Sequence, residues 1–266
     1  CKEVRDFFIL LSIFKLSAIQ SLPKKPLKLQ DSQVFPAQEL HNFKTNLYLK
    51  TSFYMQIMQL RNTDVIKTKT KGLPMSNITM RKEAVSDAVS HIRKELDGKP
   101  ITPELLGFVE AQLLKLAMRE DLFSFEDFPP PSDDDPRASC LYRLSEDDDH
   151  RFALYANVAN AEVNAPPHDH TTWAVIVGVR GQEENRFYSK ITEGVEQKGG
   201  AIVEKGTAVK LMPDDLHSIH IRPGVPVLNF HMYGLALEQL PGRNYWSAPN
   251  KEWRTFPAHT DIREAR

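Results

Sequence analysis

Cysteine is nearly missing from these 266 residues: only Cys1 and Cys140 are present. Two thiols cannot build a disulfide framework or a four-thiolate zinc site. An excess of one charge is missing too. Lys+Arg number 34 against 35 Asp+Glu, a formal net charge of -1 with a pI near 6.8. Without a basic surplus the chain is not a general nucleic-acid binder. No run of about 18 apolar residues occurs, so no segment reads as a membrane-spanning helix. What is present is 41% hydrophobic and 9% aromatic residues, enough for a real core.

The near-neutral total conceals a division. Residues 1–74 hold 12 basic and 5 acidic side chains, while residues 75–266 hold 22 and 30. Of the 12 glycines, only Gly72 precedes residue 75. The composition predicts a poorly ordered basic leader, 1–74, and one domain over 75–266. Because the first residue is Cys1, the sequence is expected to begin inside a longer or processed product, and Met75 or Met80 would be a sensible start for the folded unit. Phe7 to Phe14 follow Lys2 and Arg5 as in a signal peptide. Lys15 interrupts that run, Glu3 and Asp6 dilute its positive end, and the residues around Ala18 meet the small-residue cleavage rule poorly. The expected location is cytoplasmic.

Within the domain, Ala84, Val85, Ala88, Val89, Ile92 and Leu96 recur at helical spacing and predict a helix from about Met80, stopped at Gly98. Thr102 as N-cap and Pro103 at the first position start a second helix, to about Met118. Pro129, Pro130, Pro131 and Pro136 then mark a loop. Short runs rich in Val, Ile, Phe and Tyr follow: 151–158, 172–179, 185–189, 208–212, 218–221 and 227–233. Their spacing predicts an antiparallel sandwich or barrel over about 138–240. Asp147 to Asp149 read as a solvated hairpin turn.

Nine histidines are present. His41, His91, His150 and His259 read as ordinary. His168 and His170 stand at i and i+2, on one face of a strand, with Asp169 turned away. Gly206, Pro213 and His217 supply a glycine turn, a proline turn and another histidine about 47 residues after the pair. That order resembles the two motifs of the cupin superfamily. The resemblance implies a mainly β, double-stranded β-helix jelly roll with two N-terminal α-helices, and His168, His170 and His217 as metal ligands. His220, three residues past His217, points to the opposite face of a regular strand. The usual cupin glutamate falls at Val175, and no Asp or Glu occupies 171–182. A metal here has no anionic protein ligand, which suits a substrate that brings an anion such as a thiolate.

A three-histidine cupin of this kind resembles the thiol dioxygenases, the family of cysteine dioxygenase and bacterial 3-mercaptopropionate dioxygenase. The strings YRLSEDDDHRFALYANV, PPHDHTTWAVIVGVRGQEENRFY, MPDDLHSIHI and LNFHMYG carry the likeness, over about Leu141 to Trp246. It implies Fe(II) as cofactor and a small thiol and dioxygen as partners, the thiol becoming a sulfinic acid. It also implies an outer-sphere Ser-x-His-x-Tyr string, here Asn229, His231 and Tyr233, with asparagine in place of serine. The mammalian-type cysteine crosslinked to tyrosine would stand at Val175, so the chain resembles the bacterial type. For the substrate carboxylate there are two candidates, Arg143 and Arg243, with Arg243 preferred. Trp173 is expected over the pocket wall or in the barrel core. Two other readings stay open: a cupin metalloenzyme with another reaction on a small acid, and a non-catalytic cupin that binds a small molecule.

Overall fold

In the computed structural model the described residues are 76–265, apart from 133 and 258. The expectations for residues 1–74 and for Met75 as a start lie outside them. Helix α1 runs Asn77–Leu96, three residues earlier than the apolar stripe suggests, because the Ser76 side chain accepts from Thr79 N and caps it. Its stripe Val85, Ala88, Val89, Ile92 and Leu96 is buried. Gly98, at φ 65, takes the left-handed turn after it. Helix α2, Pro103–Ala117, is capped by Thr102, whose Oγ1 accepts from Leu105 N at 3.3 Å. Thr102→Ala is expected to cost about 1 kcal/mol. Urea unfolding should show it as a lower midpoint with an unchanged slope. Among the described residues no helix is long and apolar enough to cross a membrane.

Twelve strands follow: β1 Ser139–Ser145, β2 Arg151–Ala159, β3 Val163–Asn164, β4 Ala174–Arg180, β5 Gln182–Ile191, β6 Gly194–Glu204, β7 Ala208–Leu211, β8 Leu216–Ile221, β9 Val227–Leu235, β10 Asn244–Ser247, β11 Glu252–Thr255 and β12 Ile262–Glu264. One sheet has the order β12-β1-β2-β9-β4-β7, the other β3-β8-β5-β6, and β10 and β11 form a hairpin. Alternation along β4 and β9 divides the core. Val175, Val177, Val179, Leu228, Phe230 and Met232 lie with Val89, Ile92, Leu106 and Leu113 of the helices. The other parity, Ala174, Ile176 and Tyr233, lies with Tyr155 and with Val203, Phe187 and Ile219 of the second sheet. This is the expected double-stranded β-helix with two N-terminal helices. Tyr233 of the first sheet and His217 of the second are both buried, on strands β9 and β8.

The acidic run makes the β1–β2 turn, with Asp147 N donating to Arg151 O at 3.0 Å. At Gly178 a Cβ would overlap the Glu204 backbone, so the close passage of β4 past the end of β6 requires glycine there. Four strands, β6 and β10 to β12, lie beyond the sequence expectation. Strand β6 is mostly exposed and carries Gly199 and Gly200, so no alternation announces it. Strands β10 to β12 continue past residue 240, where the barrel was expected to end.

Candidate metal centre

His168 exchanges backbone hydrogen bonds with His217 of β8, His168 N to His217 O at 2.9 Å and His217 N to His168 O at 3.1 Å. His168 is thus a single bridge residue, and His170 lies outside any strand; the regular strand expected around the pair is absent. The rings converge all the same. One ligand nitrogen from each of His168, His170 and His217 lies within 4.8 Å of the others, and the cluster contains no carboxylate. His170 Nε2 and His217 Nε2 are 3.3 Å apart. Asp169 is turned away, its Oδ1 accepting from Asn244 N at 3.0 Å. His220 stands on the other face of β8, bonded to Ser218 at 2.7 Å and to Asn164 at 2.9 Å.

Burial sets the protonation of the three rings. It pushes His168 down to about 4, against the Pro166 carbonyl that favours its charged form. His170 and His217 are pushed well below the ordinary histidine value, first by burial and then by the neighbouring imidazoles. All three are neutral at pH 7, the form that ligates. His168 Nδ1 is held by Pro166 O at 2.8 Å and His217 Nδ1 by Asn185 Oδ1 at 2.8 Å. Each therefore keeps the lone pair of Nε2 for ligation, and this donor set fits a divalent transition metal.

Asn229, His231 and Tyr233 are all buried on the inward face of β9. The Tyr233 ring is 5.2 Å from that of His170, and its hydroxyl is 3.2 Å from His231 Nδ1. Burial raises the Tyr233 hydroxyl above the ordinary tyrosine value, so it keeps its proton. Asn229 does not bond His231; its Nδ2 donates to Glu183 Oε2 at 3.0 Å. The residue beside His231 Nε2 is Glu183, at 3.6 Å, with the Asn157 amide at 3.4 Å. Glu183, Asn185, Asn157 and Tyr155 lie within strings that carry the family likeness, but no spacing singles them out. One further correction concerns Val175, which faces the helices; Ala174 is the residue that opposes Tyr233 across the sheet. Neither is a cysteine, so no thioether to Tyr233 can form from either.

The two arginines differ in their commitments. Arg143 pairs with Glu146 at 3.0 Å, Glu264 at 3.1 Å and Glu238. Arg243 is 8% exposed, and its Nε has no hydrogen-bond partner among the described residues. Its guanidinium carbon lies 5.2 Å from the centre of the Phe256 ring, which itself meets the His168 ring edge-to-face at 5.7 Å. Burial lowers the Arg243 pKa below the ordinary arginine value, opposed by Tyr233, Asp169 and Tyr155. Trp173 sits in the helix-side core beside Phe152, not with the histidines. The β10–β11 hairpin fixes Arg243 and Phe256 against the ligand segment. Asp169 N donates to Asn244 O at 3.1 Å, Trp246 N to Pro167 O at 2.8 Å and Phe256 N to Arg243 O at 2.8 Å.

No family model matches the chain. Among solved structures it is similar to an oxalate oxidase, at 12% identity and a TM-score of 0.33, over 46% of this chain and 62% of that one. It is similar to a putative mannose-6-phosphate isomerase from Ralstonia eutropha JMP134, at 14% identity and 0.32, over 41% and 93%. A third is an uncharacterized conserved protein with a double-stranded beta-helix domain from Klebsiella pneumoniae subsp. pneumoniae MGH 78578, at 12% and 0.33, over 48% and 93%. Likeness at this level says nothing of chemistry. The site rests on its own residues.

Proposed function

We propose that the chain is a non-haem iron(II) thiol dioxygenase acting on a small carboxylate-bearing thiol, cysteine or 3-mercaptopropionate. The reaction is R–SH + O2 giving R–SO2H, which balances without an added reductant. The observation that carries this reading is the donor set: three buried neutral imidazoles without a carboxylate. A dication on neutral ligands keeps its full charge, so the site favours a partner that arrives as an anion. Iron(II), when bound, would supply the redox chemistry that joins thiol and dioxygen. Imidazole ligands alone also accept zinc, copper or nickel, so iron is the choice of the family resemblance.

The protein's own residues do the rest. Arg243, buried and with a free Nε, offers a forked cation for the substrate carboxylate. Tyr233 holds its hydroxyl proton beside His170 and can donate it as a hydrogen bond into the site or to His231. Burial of every ring excludes water from the ligand cluster. The test is anaerobic loading with iron(II), then oxygen uptake with cysteine, 3-mercaptopropionate and cysteamine. Uptake with one of the two carboxylate-bearing thiols, matched by sulfinate, is expected, with cysteamine poor because it lacks the carboxylate. Full iron occupancy without thiol-dependent uptake would overturn the reading and leave a cupin with another reaction or a binding role.

A further inference from the structure

Behind the histidines lies a carboxylate outside both the ligand set and the Asn229, His231 and Tyr233 string. Glu183 is 0% exposed, on the inward face of β5 two residues from Asn185. Its neighbour Glu184 shows the ordinary alternative, a partly exposed carboxylate paired with Arg186 at 2.8 Å. A carboxylate buried without partners costs several kcal/mol, so its surroundings must hold it. Asn185 Nδ2 donates to Oε1 at 2.8 Å and Asn229 Nδ2 to Oε2 at 3.0 Å. These contacts, with His231, outweigh the burial that would otherwise raise it, and Glu183 stays below the usual glutamate range.

The hydrogen-bond inventory then fixes directions. An ionised carboxylate only accepts, so both amides must turn their NH2 groups toward Glu183. Asn185 is left with its oxygen for His217, and Oδ1 lies 2.8 Å from Nδ1. An amide oxygen also only accepts. His217 must carry its proton on Nδ1, and its Nε2 lone pair faces His170.

We propose that Glu183 is the positioning residue of the metal centre. Through Asn185 it fixes the tautomer and orientation of His217, and from the same pocket it faces His231 at 3.6 Å. One buried anion thus serves a ligand and the relay, and it places negative charge one link behind a ligand set that has none. The inference rests on reading His168, His170 and His217 as metal ligands.

The experiment uses the full chain and cobalt(II) as probe, so that binding is read without turnover. In Glu183→Gln the side chain keeps its shape, but its single oxygen can satisfy only one of the two amides. The cobalt(II) Kd is expected to rise about 10- to 100-fold, with the circular dichroism spectrum of the wild type. Asn185→Ala removes the link to His217 together with one of the two amide donors to Glu183, and should weaken cobalt(II) to at least the same degree. Independently of any variant, NMR of 15N-histidine-labelled metal-free wild type should show His217 as the Nδ1–H tautomer. A folded Glu183→Gln protein with unchanged affinity, or a His217 found as the Nε2–H tautomer, would overturn the proposal. A wild type that binds no cobalt(II) would instead overturn the metal reading, and the tautomer would still decide whether Glu183 governs His217.

Discussion

His217→Ala is expected to weaken divalent-metal binding by roughly 10^2- to 10^3-fold and to abolish thiol-dependent oxygen uptake at micromolar iron. The magnitude follows from structural zinc sites, where four ligands together give about 10–16 kcal/mol, or about 2.5–4 kcal/mol for each. His217 is the ligand to remove because it is 0% exposed and stands on a regular strand. The alternative explanation for a loss is collapse of the fold, and His220→Ala controls for it. His220 is on the same strand but faces outward to Ser218 and Asn164. Its substitution should leave metal affinity within about twofold, since no contact links it to the cluster. Equal losses in both variants would show that the strand, and not the imidazole, had been measured. Isothermal titration with cobalt(II) reads the affinity and an oxygen electrode the turnover.

Arg243→Ala is expected to lower kcat/KM for carboxylate-bearing thiols by about 10^2-fold or more and to leave cysteamine unchanged. A forked pair of charge-assisted hydrogen bonds is worth about 3 kcal/mol or more in a buried setting. Arg243 has no carboxylate paired with it among the described residues, whereas Arg143 already answers Glu146, Glu238 and Glu264. Arg243→Lys should recover only part of the loss, because an ammonium is a point charge without the planar fork. Arg143→Gln should leave the ratio between cysteine and cysteamine untouched. The selective ratio, not the absolute rate, is the diagnostic. If Arg143→Gln lowers that ratio and Arg243→Ala does not, the anchor is Arg143.

The parts of this molecule that could be read from its sequence are those with short-range signatures. The helices announced themselves through Thr102, Pro103 and apolar stripes, and the ligands through imidazoles at recognisable spacing. The family spacing puts its cysteine position at Val175, five residues past His170, but the chain turns at Thr171, with φ 55, before β4 begins, and Ala174 is the residue that opposes Tyr233. The charge network failed to show for a different reason. Glu183 meets Asn229 across 46 residues and His217 meets Asn185 across 32, and nothing local marks either pairing. Asn229 sits in the position of the relay serine, yet its partner is an acid on another strand. Only the closing of the two sheets reveals it. The exposed, glycine-bearing β6 was silent because neither face of it is selected for burial.

The hairpin of β10 and β11 gives the site a separable ruler. The three histidines belong to the barrel, but Arg243 and Phe256 arrive on a segment that meets Pro167 and Asp169 through its own main-chain atoms, with the Asp169 side chain also accepting from Asn244 N. Main-chain bonds are indifferent to side-chain identity. Substitutions along 243–256 can therefore alter the span between the ion and the guanidinium while leaving the ion's own ligands untouched. Under the proposed function that span would set how many carbons fit between sulfur and carboxylate, and the length of the accepted thiol would be a property of this segment. Chain-length preference could drift, or be engineered, without any cost to metal retention.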